Sequence, residues 1–458
     1  MANSVTVNVK MFRVGELGDC FLLHFKDGQD ESHVLIDCGS FRNGQPSKDR
    51  MLAVVKEIKK LLNGKSLDVV VGTHQHNDHL SGFVHCENEF MNAVKQVWLS
   101  WLDDPKDAFA RQIQRDQKNL VQQLKGIYGR MERLGISKDH DEINDVLGFF
   151  GASGDDPVIP AKGVEILKAI GKKEPKYLSP GKCLEVPGIS VESVRGYVLG
   201  PPRRQDLLFD KDPKKDETYD PHLAMAEASA SKLLAALDNH ASGKASREEK
   251  QFPFDTTLKK KKSEVDESVR KLYNGTHQAW RKIDDDWLEG ADRLALYLDS
   301  FTNNSSLVLA FELVKSGKVL LFAADAQAGN WLSWEKVKWE KEGMKTSTLL
   351  ENTVLYKVGH HGSHNATLVQ AFEMMDHPEL VAMIPVQKTD GNITKKKGWK
   401  MPAKNLYQRL KEKTKFRVLR MDDGFADECG LQSRKAKWGE VRYKPKVERW
   451  WVEYVVEG

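Results

Sequence analysis

Four groups able to bind a metal or move a proton fall within six residues: His74, His76, Asp78 and His79, in the run Thr73-His74-Gln75-His76-Asn77-Asp78-His79-Leu80-Ser81-Gly82. Neutral imidazoles and carboxylates that converge at about 2.0–2.2 Å on one point make a metal site. In extended chain, residues two apart face the same way, so His74, His76 and Asp78 point into one space. His79 breaks that parity. The chain must therefore bend, and a helix is expected to begin near Asn77 or Asp78. The plainer reading, a polar loop that happens to be histidine-rich, leaves three bases and an acid at a strand end with no structural task.

The elements that would hold this cluster are readable around it. Leu67-Asp68-Val69-Val70-Val71-Gly72 is short, apolar and β-branched, and predicts a buried strand running into the cluster. Residues 5–25 and 33–38 predict strands around the polar turn Lys26 to Asp30, with Asp37 ending the second. Apolar residues spaced by three and four (Met51, Val54, Val55, Ile58, Leu61, Leu62) predict a helix over 48–63, closed by Asn63-Gly64. Phe83 to Val94 reads as helix and Gln96 to Trp101 as strand. Far downstream, Val319 to Asp325 is an apolar strand ending in an aspartate, and Leu355 to His361 is one ending in a histidine pair followed by Gly362-Ser363-His364. Leu294 to Leu298 and Ser306 to Phe311 read as core runs about a polar turn at Asn303-Asn304-Ser305. Residues 366–376 read as helix, 380–385 and 416–419 as closing strands, and 448–456 as an edge strand.

Between Asp103 and about Asp292 the composition shifts towards Lys, Gln, Glu and Ala. Residues 105–135 and 222–250 look helical, and a further helix is expected over Ala161 to Lys172. Lys259 to Lys262 tempts a phosphate-binding reading, but four lysines are more often one solvated helix face. Short strands at Cys183 to Val186 and Ile189 to Val194, ending in Val198-Leu199-Gly200-Pro201-Pro202, return to the core. The expectation is one domain over 1–458, with helical insertions at about 103–180 and 203–290 that roof the site or receive a partner protein.

His74-x-His76-x-Asp78-His79 resembles the signature of the metallo-β-lactamase-fold hydrolases. The likeness continues in chain order: Gly18-Asp19 and Asp37-Cys38-Gly39 near the start, the strand ending at Asp325, and His360-His361-Gly362-Ser363. That ending looks most like the soluble ComEC-like hydrolase domain of competence DNA-uptake proteins. The resemblance implies an α/β (α+β) fold, a four-layer αβ/βα sandwich with the site at one edge. It implies two divalent ions, zinc by preference with manganese acceptable. His74 and His76 would hold the first, Asp78, His79 and one of His360 or His361 the second, and Asp325 both. His360 is favoured as the ligand. His361 and His364, with Asp78, are then the catalytic candidates, to bind a substrate phosphate or protonate a leaving oxygen. Asp37 would brace the metal loop. Many relatives add a third histidine to the first metal. Only His85, His140, His222, His240 and His277 lie in that interval and none ends a clear core strand, which leaves Asn303, Asn304 or water.

Composition narrows the setting. The 458 residues carry 70 basic and 66 acidic side chains, a net charge of +4, which is too small to argue nucleic-acid binding from bulk charge. No run of about 18 apolar residues predicts a membrane span, and the start has no signal-peptide pattern. Five scattered cysteines suit a reducing cytoplasm, with Cys38 a packed strand residue. The leading expectation is a cytoplasmic hydrolase that uses a metal-bound hydroxide, a phosphodiesterase or nuclease acting on nucleic acid. The alternatives are a hydrolase of a small ester, lactone, amide or peptide, with an apolar pocket such as Trp98, Trp101, Trp331 and Trp334 would line, and a metal-stabilised non-catalytic subunit of a larger assembly.

Overall fold

The computed structural model describes residues 5–134, 141–150, 159–208, 260, 262–274, 289–387, 389–394, 399–421, 424–425, 436–443 and 446–458. The expected helix over 222–250, and Lys259 and Lys261, lie outside these residues.

The strands fall in three blocks along the chain. The first is β1 (Thr6–Phe12), β2 (Cys20–Asp27), β3 (Asp30–Cys38), β4 (Leu67–Val71), β5 (Val94–Ser100) and β6 (Lys176–Leu178). The second is β7 (Cys183–Glu185), β8 (Val194–Gly200), β9 (Val308–Leu313), β10 (Lys318–Phe322), β11 (Thr353–Lys357), β12 (Val381–Ile384), β13 (Val418–Arg420) and β14 (Gly424–Phe425). Finally β15 (Ala436–Tyr443) and β16 (Lys446–Glu457) return to the first block. One sheet runs β15-β16-β1-β2-β3-β4-β5-β6, the other β14-β13-β12-β11-β10-β9-β8-β7. Both are mixed. The pairs from β3 to β6 and from β10 to β13 are parallel, and the remaining pairs are antiparallel.

The alternation of apolar residues explains the layering. In β9, Leu309 and Phe311 join one hydrophobic cluster, and Val308 and Ala310 the other; Leu320 and Phe322 alternate with Val319 and Leu321 in the same way in β10. A strand buried on both faces has this pattern. The first cluster fills the space between the sheets, where Phe21 meets Phe322 at 5.8 Å and Phe25 meets Phe311 at 5.4 Å between ring centroids. Outside the first sheet pack α1 (Gln45–Leu62) and α2 (Asn77–His85), the former through Met51, Val54, Val55 and Ile58. Outside the second sheet pack the helices Ala328–Ser333, Thr346–Glu351 and Val369–Met374, through Trp331, Leu349, Leu350 and Phe372. This is the expected sandwich of two sheets with helices outside.

By its internal contacts the chain forms two units. The sandwich comprises Met1–Gln114, Gly148–Asp220 and Ser300–Gly458; the second unit, Arg115–Leu147 and Pro221–Asp299, overlaps the expected insertions. Its described residues are mostly helical. In the helix Ala108–Leu134, Leu120, Leu124, Ile127 and Met131 are buried at spacings of three and four. No helix among the described residues is long and apolar enough to cross a membrane.

Several boundaries differ from expectation. Leu294 to Leu298 is helical, within Glu289–Asn304, because Ala295, Leu298 and Phe301 bury at a spacing of three rather than two. The strand before Gly200 begins only at Val194, after turns at Ile189 to Ser193. The helix after the motif breaks at Cys86 and stops at Phe90, so that β5 can start at Val94. β16 is no edge strand, since β15 covers the side opposite β1.

The β2–β3 hairpin generates a pH test. His33 is buried and stacks on His24 across the strands, with centroids 4.0 Å apart. Burial, and then the neighbouring His24, push the pKa of His33 down to about 4. An unfolded histidine takes its proton near about 6.5. The contribution is therefore complete above that pH and is lost as pH falls from about 6.5 towards 4. Urea unfolding at pH 7.5 and 5 should show wild type losing more stability than His33→Gln over this interval. Parallel losses would contradict the assignment.

Candidate metal centre

The motif sits where β4 ends. All five residues of β4 are buried, so its last turn cannot reach solvent and delivers Thr73 to His79 into the interior. His74 is 3 % exposed, and His76, Asn77, Asp78 and His79 are fully buried. α2 starts at Asn77, with His76 still extended as its cap, which is the bend that the broken parity of His79 requires. Asp37, at the end of β3, holds the bend. Its Oδ1 accepts from the Thr73 backbone N–H at 2.9 Å, and its Oδ2 accepts from Thr73 Oγ1 and His79 Nδ1, both at 2.7 Å. The bracing expected of Asp37 is present.

Two neighbouring groups of donors result. His74 Nε2 and His76 Nδ1 lie 3.1 Å apart. Beside them, Asp78, His79, Asp325 and His361 bring one donor atom each to within 4.8 Å of one another. Asp78 Oδ2 is 2.9 Å from His361 Nε2, and Asp325 Oδ2 is 3.1 Å from His79 Nε2 and 3.7 Å from His361 Nε2. Both imidazoles of this group have Nδ1 engaged elsewhere, His79 on Asp37 and His361 on the Pro385 carbonyl at 2.9 Å. That leaves Nε2 of each facing the carboxylates, the arrangement that orients metal-binding histidines.

The second histidine of the pair, not the first, joins the carboxylates. The expectation favoured His360 by strand parity, but β11 ends at Lys357, and His360 and His361 both adopt left-handed backbone, with φ of 42° and 52°. Two consecutive residues of that kind rotate the side chains out of strand alternation. His360 instead offers its backbone N–H to Asp325 Oδ1 at 3.1 Å, and its ring lies 3.4 Å from Gln327 Nε2. His364 is exposed and stands apart from the cluster. His85 is the last residue of α2, half-buried; His140, His222, His240 and His277 lie outside the described residues. Asn304 is occupied in tying down the helix that follows Asp325, through Asn330. Cys38 packs in the core and hydrogen-bonds Cys20.

Two residues of the site were given no role from sequence. Asp19, at the head of β2, is 2 % exposed, and Lys357, the last residue of β11, is 1 % exposed; they pair at 2.5 Å. The signal was present: Lys357 is the one charge inside the apolar run Leu355 to Val358, and a buried ammonium needs a buried anion. An aromatic wall was also missed. Phe149 and Phe150 stand 5.0 and 5.1 Å from the His76 ring, and Phe149 stacks on Trp399 at 5.3 Å with Phe41 edge-on to both. The tryptophans named beforehand lie elsewhere. Trp98 and Trp101 are buried core residues, and Trp331 and Trp334 line a separate cavity of about 340 Å³ with Trp339, Met344 and Leu368.

The charges fit a cation. Four carboxylates, of Asp19, Asp37, Asp78 and Asp325, are buried around one ammonium, and against the effect of burial they push the pKa of His79 well up and that of His361 up; a bound cation would take the place of those protons. Burial works against ionising Asp325, yet His79, Lys357 and His361 hold its pKa well below the usual range. Burial, then His79, keeps His74 neutral, and burial sets His76 at about 3; neutral imidazole is the form that binds metal. Asp78 Oδ1, His79 Nε2 and Asp325 Oδ2 are buried without a hydrogen bond of good geometry. Such atoms are costly unless something fills the space between them.

The site depends on close backbone approach. A Cβ on Gly39 would lie 2.5 Å from Asp78 C and His79 N, and Asp19 N–H donates to the Asp78 carbonyl at 2.9 Å. Gly39→Ala should therefore destabilise the protein by about 1–3 kcal/mol, as overpacking does; an unchanged denaturation midpoint would contradict this packing.

Residues 14–158 match the family model of the metallo-beta-lactamase superfamily, which covers Asp19, Asp37 and the whole His74–His79 motif. No curated protein matches the chain. With a buried histidine–aspartate cluster at the end of such a sandwich, the match supports a metal-dependent hydrolase in general.

Proposed function

We propose that the protein is a metal-dependent phosphodiesterase, with nucleic acid as its preferred substrate. The observation that carries this reading is the position of Asp325. Its Oδ2 faces His79 and His361, and the His79 ring lies 4.1 Å from that of His74 between centroids. One carboxylate next to two adjoining donor groups suits two adjacent divalent ions, His74 and His76 holding one, and Asp78, His79 and His361 the other. The donors are all nitrogen and oxygen, which zinc and manganese both accept. Ions bound there would activate water and stabilise charge on a phosphoryl oxygen.

The remaining residues have separable tasks. Asp37 fixes His79 with Nε2 turned inward. His360, 6 % exposed against 0 % for His361, is the member of the pair left to meet a substrate oxygen. The half-buried Trp399, stacked on the buried Phe149 that adjoins His76, suits a nucleobase, since every base has a face to stack. It would equally receive the apolar part of a small ester, which makes ester or amide hydrolysis the second reading.

Metal-free protein should be titrated with Zn²⁺ and Mn²⁺ and offered single-stranded and duplex DNA, RNA, bis-p-nitrophenyl phosphate, an aryl ester and a nitrocefin-like amide. The expected outcome is phosphodiester cleavage that falls to background in Asp78→Ala and His79→Ala. Ester or amide turnover alone would move the assignment to the second reading. Stoichiometric metal with no turnover would favour a non-catalytic subunit. Asp37→Asn should weaken metal binding by about 10–100-fold, as loss of an outer hydrogen-bond partner does; dye-chelator competition gives the affinity, and an unchanged value would remove Asp37 from the assembly.

A further inference from the structure

We propose that Lys357 is a positioning residue for the centre: its ammonium fixes the rotation of the Asp325 carboxylate, so that Oδ1 is spent on the protein and only Oδ2 faces the metals. This rests on the metal-binding reading above and adds what sets the geometry of the shared ligand.

The donor count makes the case. An ammonium has three N–H groups. Those of Lys357 meet Asp19 Oδ2 at 2.5 Å, the Ala324 carbonyl at 2.6 Å and Asp325 Oδ1 at 3.2 Å. All three are used and the side chain is buried, so Lys357 has no donor for a substrate phosphate or a leaving group. Its partners belong to two segments: Asp19 immediately precedes β2 in one sheet, while Ala324 and Asp325 follow β10 in the other. Ala324 has a left-handed φ of 48°, which turns its carbonyl towards the ammonium. Asp325 Oδ1 accepts a second bond from the His360 backbone, and Ser306 Oγ accepts from the Asp325 N–H at 3.2 Å. With Oδ1 doubly held, the carboxylate cannot swing both oxygens onto one ion.

Asp19 makes this possible. Without it, a buried ammonium beside two cations would oppose metal binding by simple Coulomb repulsion. The ion pair cancels that charge while leaving the hydrogen bond to Asp325 in place. Direction is therefore diagnostic. Were Lys357 only a charge, its removal would tighten metal binding; as a positioning group, its removal loosens it.

The test uses Lys357→Met and the double variant Asp19→Asn with Lys357→Met, which removes both charges and leaves no unpaired buried carboxylate. Zn²⁺ stoichiometry and affinity are measured by chelator competition on full-length protein, folding by circular dichroism, and ligand geometry by the visible absorption of the Co²⁺ form. Wild type should bind two ions. The double variant should fold, bind one ion with an affinity near that of wild type and the other at least about tenfold more weakly, and show altered Co²⁺ bands. Two ions bound with wild-type affinity and unchanged bands would overturn the proposal and reduce the pair to a tie between the sheets. Failure of both variants to fold would overturn it too, as a folding role. Wild type that binds no metal would defeat the metal-binding reading itself, and is seen before any variant is compared.

Discussion

The structure turns on four carboxylates buried close together. Asp19, Asp37, Asp78 and Asp325 lie in the interior around a single ammonium. Isolated buried carboxylates are unaffordable, so each must be paired, hydrogen-bonded or bound to a metal. Asp37 is satisfied by Thr73 and His79, and Asp19 by Lys357. Asp78 and Asp325 keep an oxygen each without a hydrogen bond, in a space bounded by His79 and His361. A cation would complete that arrangement. The two mixed sheets exist, in this view, to bring strand ends together: β4 delivers the motif, while β10 and β11 deliver Asp325 and the histidine pair from the facing sheet.

What could be seen in the sequence follows from what is local. His74 to His79 is legible because its ligands lie within one turn of chain after an apolar strand, and the alternation of β9 and β10 gives two buried faces directly. Asp325 is legible as the charge that ends such a strand. The choice within His360-His361 is not, because it depends on two successive left-handed residues that no pattern of polarity announces. The Asp19–Lys357 pair joins the head of β2 to the end of β11 across the sandwich, so neither residue marks its partner. Leu294 to Leu298 misleads because a short apolar run fits a strand and a buried helix equally. β16 reads as an edge only until β15, whose sequence has no strong apolar alternation, is seen beside it.

The aromatic wall is built from connections rather than from the sheets. Phe41 follows β3, Phe149 ends a helix that begins in the second unit, and Trp399 precedes the helix Lys404–Lys413. None belongs to the sheets; Phe149 stands against His76, and Phe41 and Trp399 pack on Phe149. The candidate metal-binding groups come from strand ends and the aromatic wall from connections between elements, the usual division between a rigid frame and its loops. A shared frame fixes a fold and not a substrate, so specificity must be sought in residues that a family pattern does not specify.

The central claim is that two ions share Asp325. Crystals grown with Zn²⁺ and measured at the zinc absorption edge test it most directly. The account predicts two anomalous peaks about 3.5–4 Å apart, one against His74 and His76, the other against Asp78, His79 and His361, with Asp325 Oδ2 between them. A single peak, or peaks only at surface histidines such as His364, would contradict it.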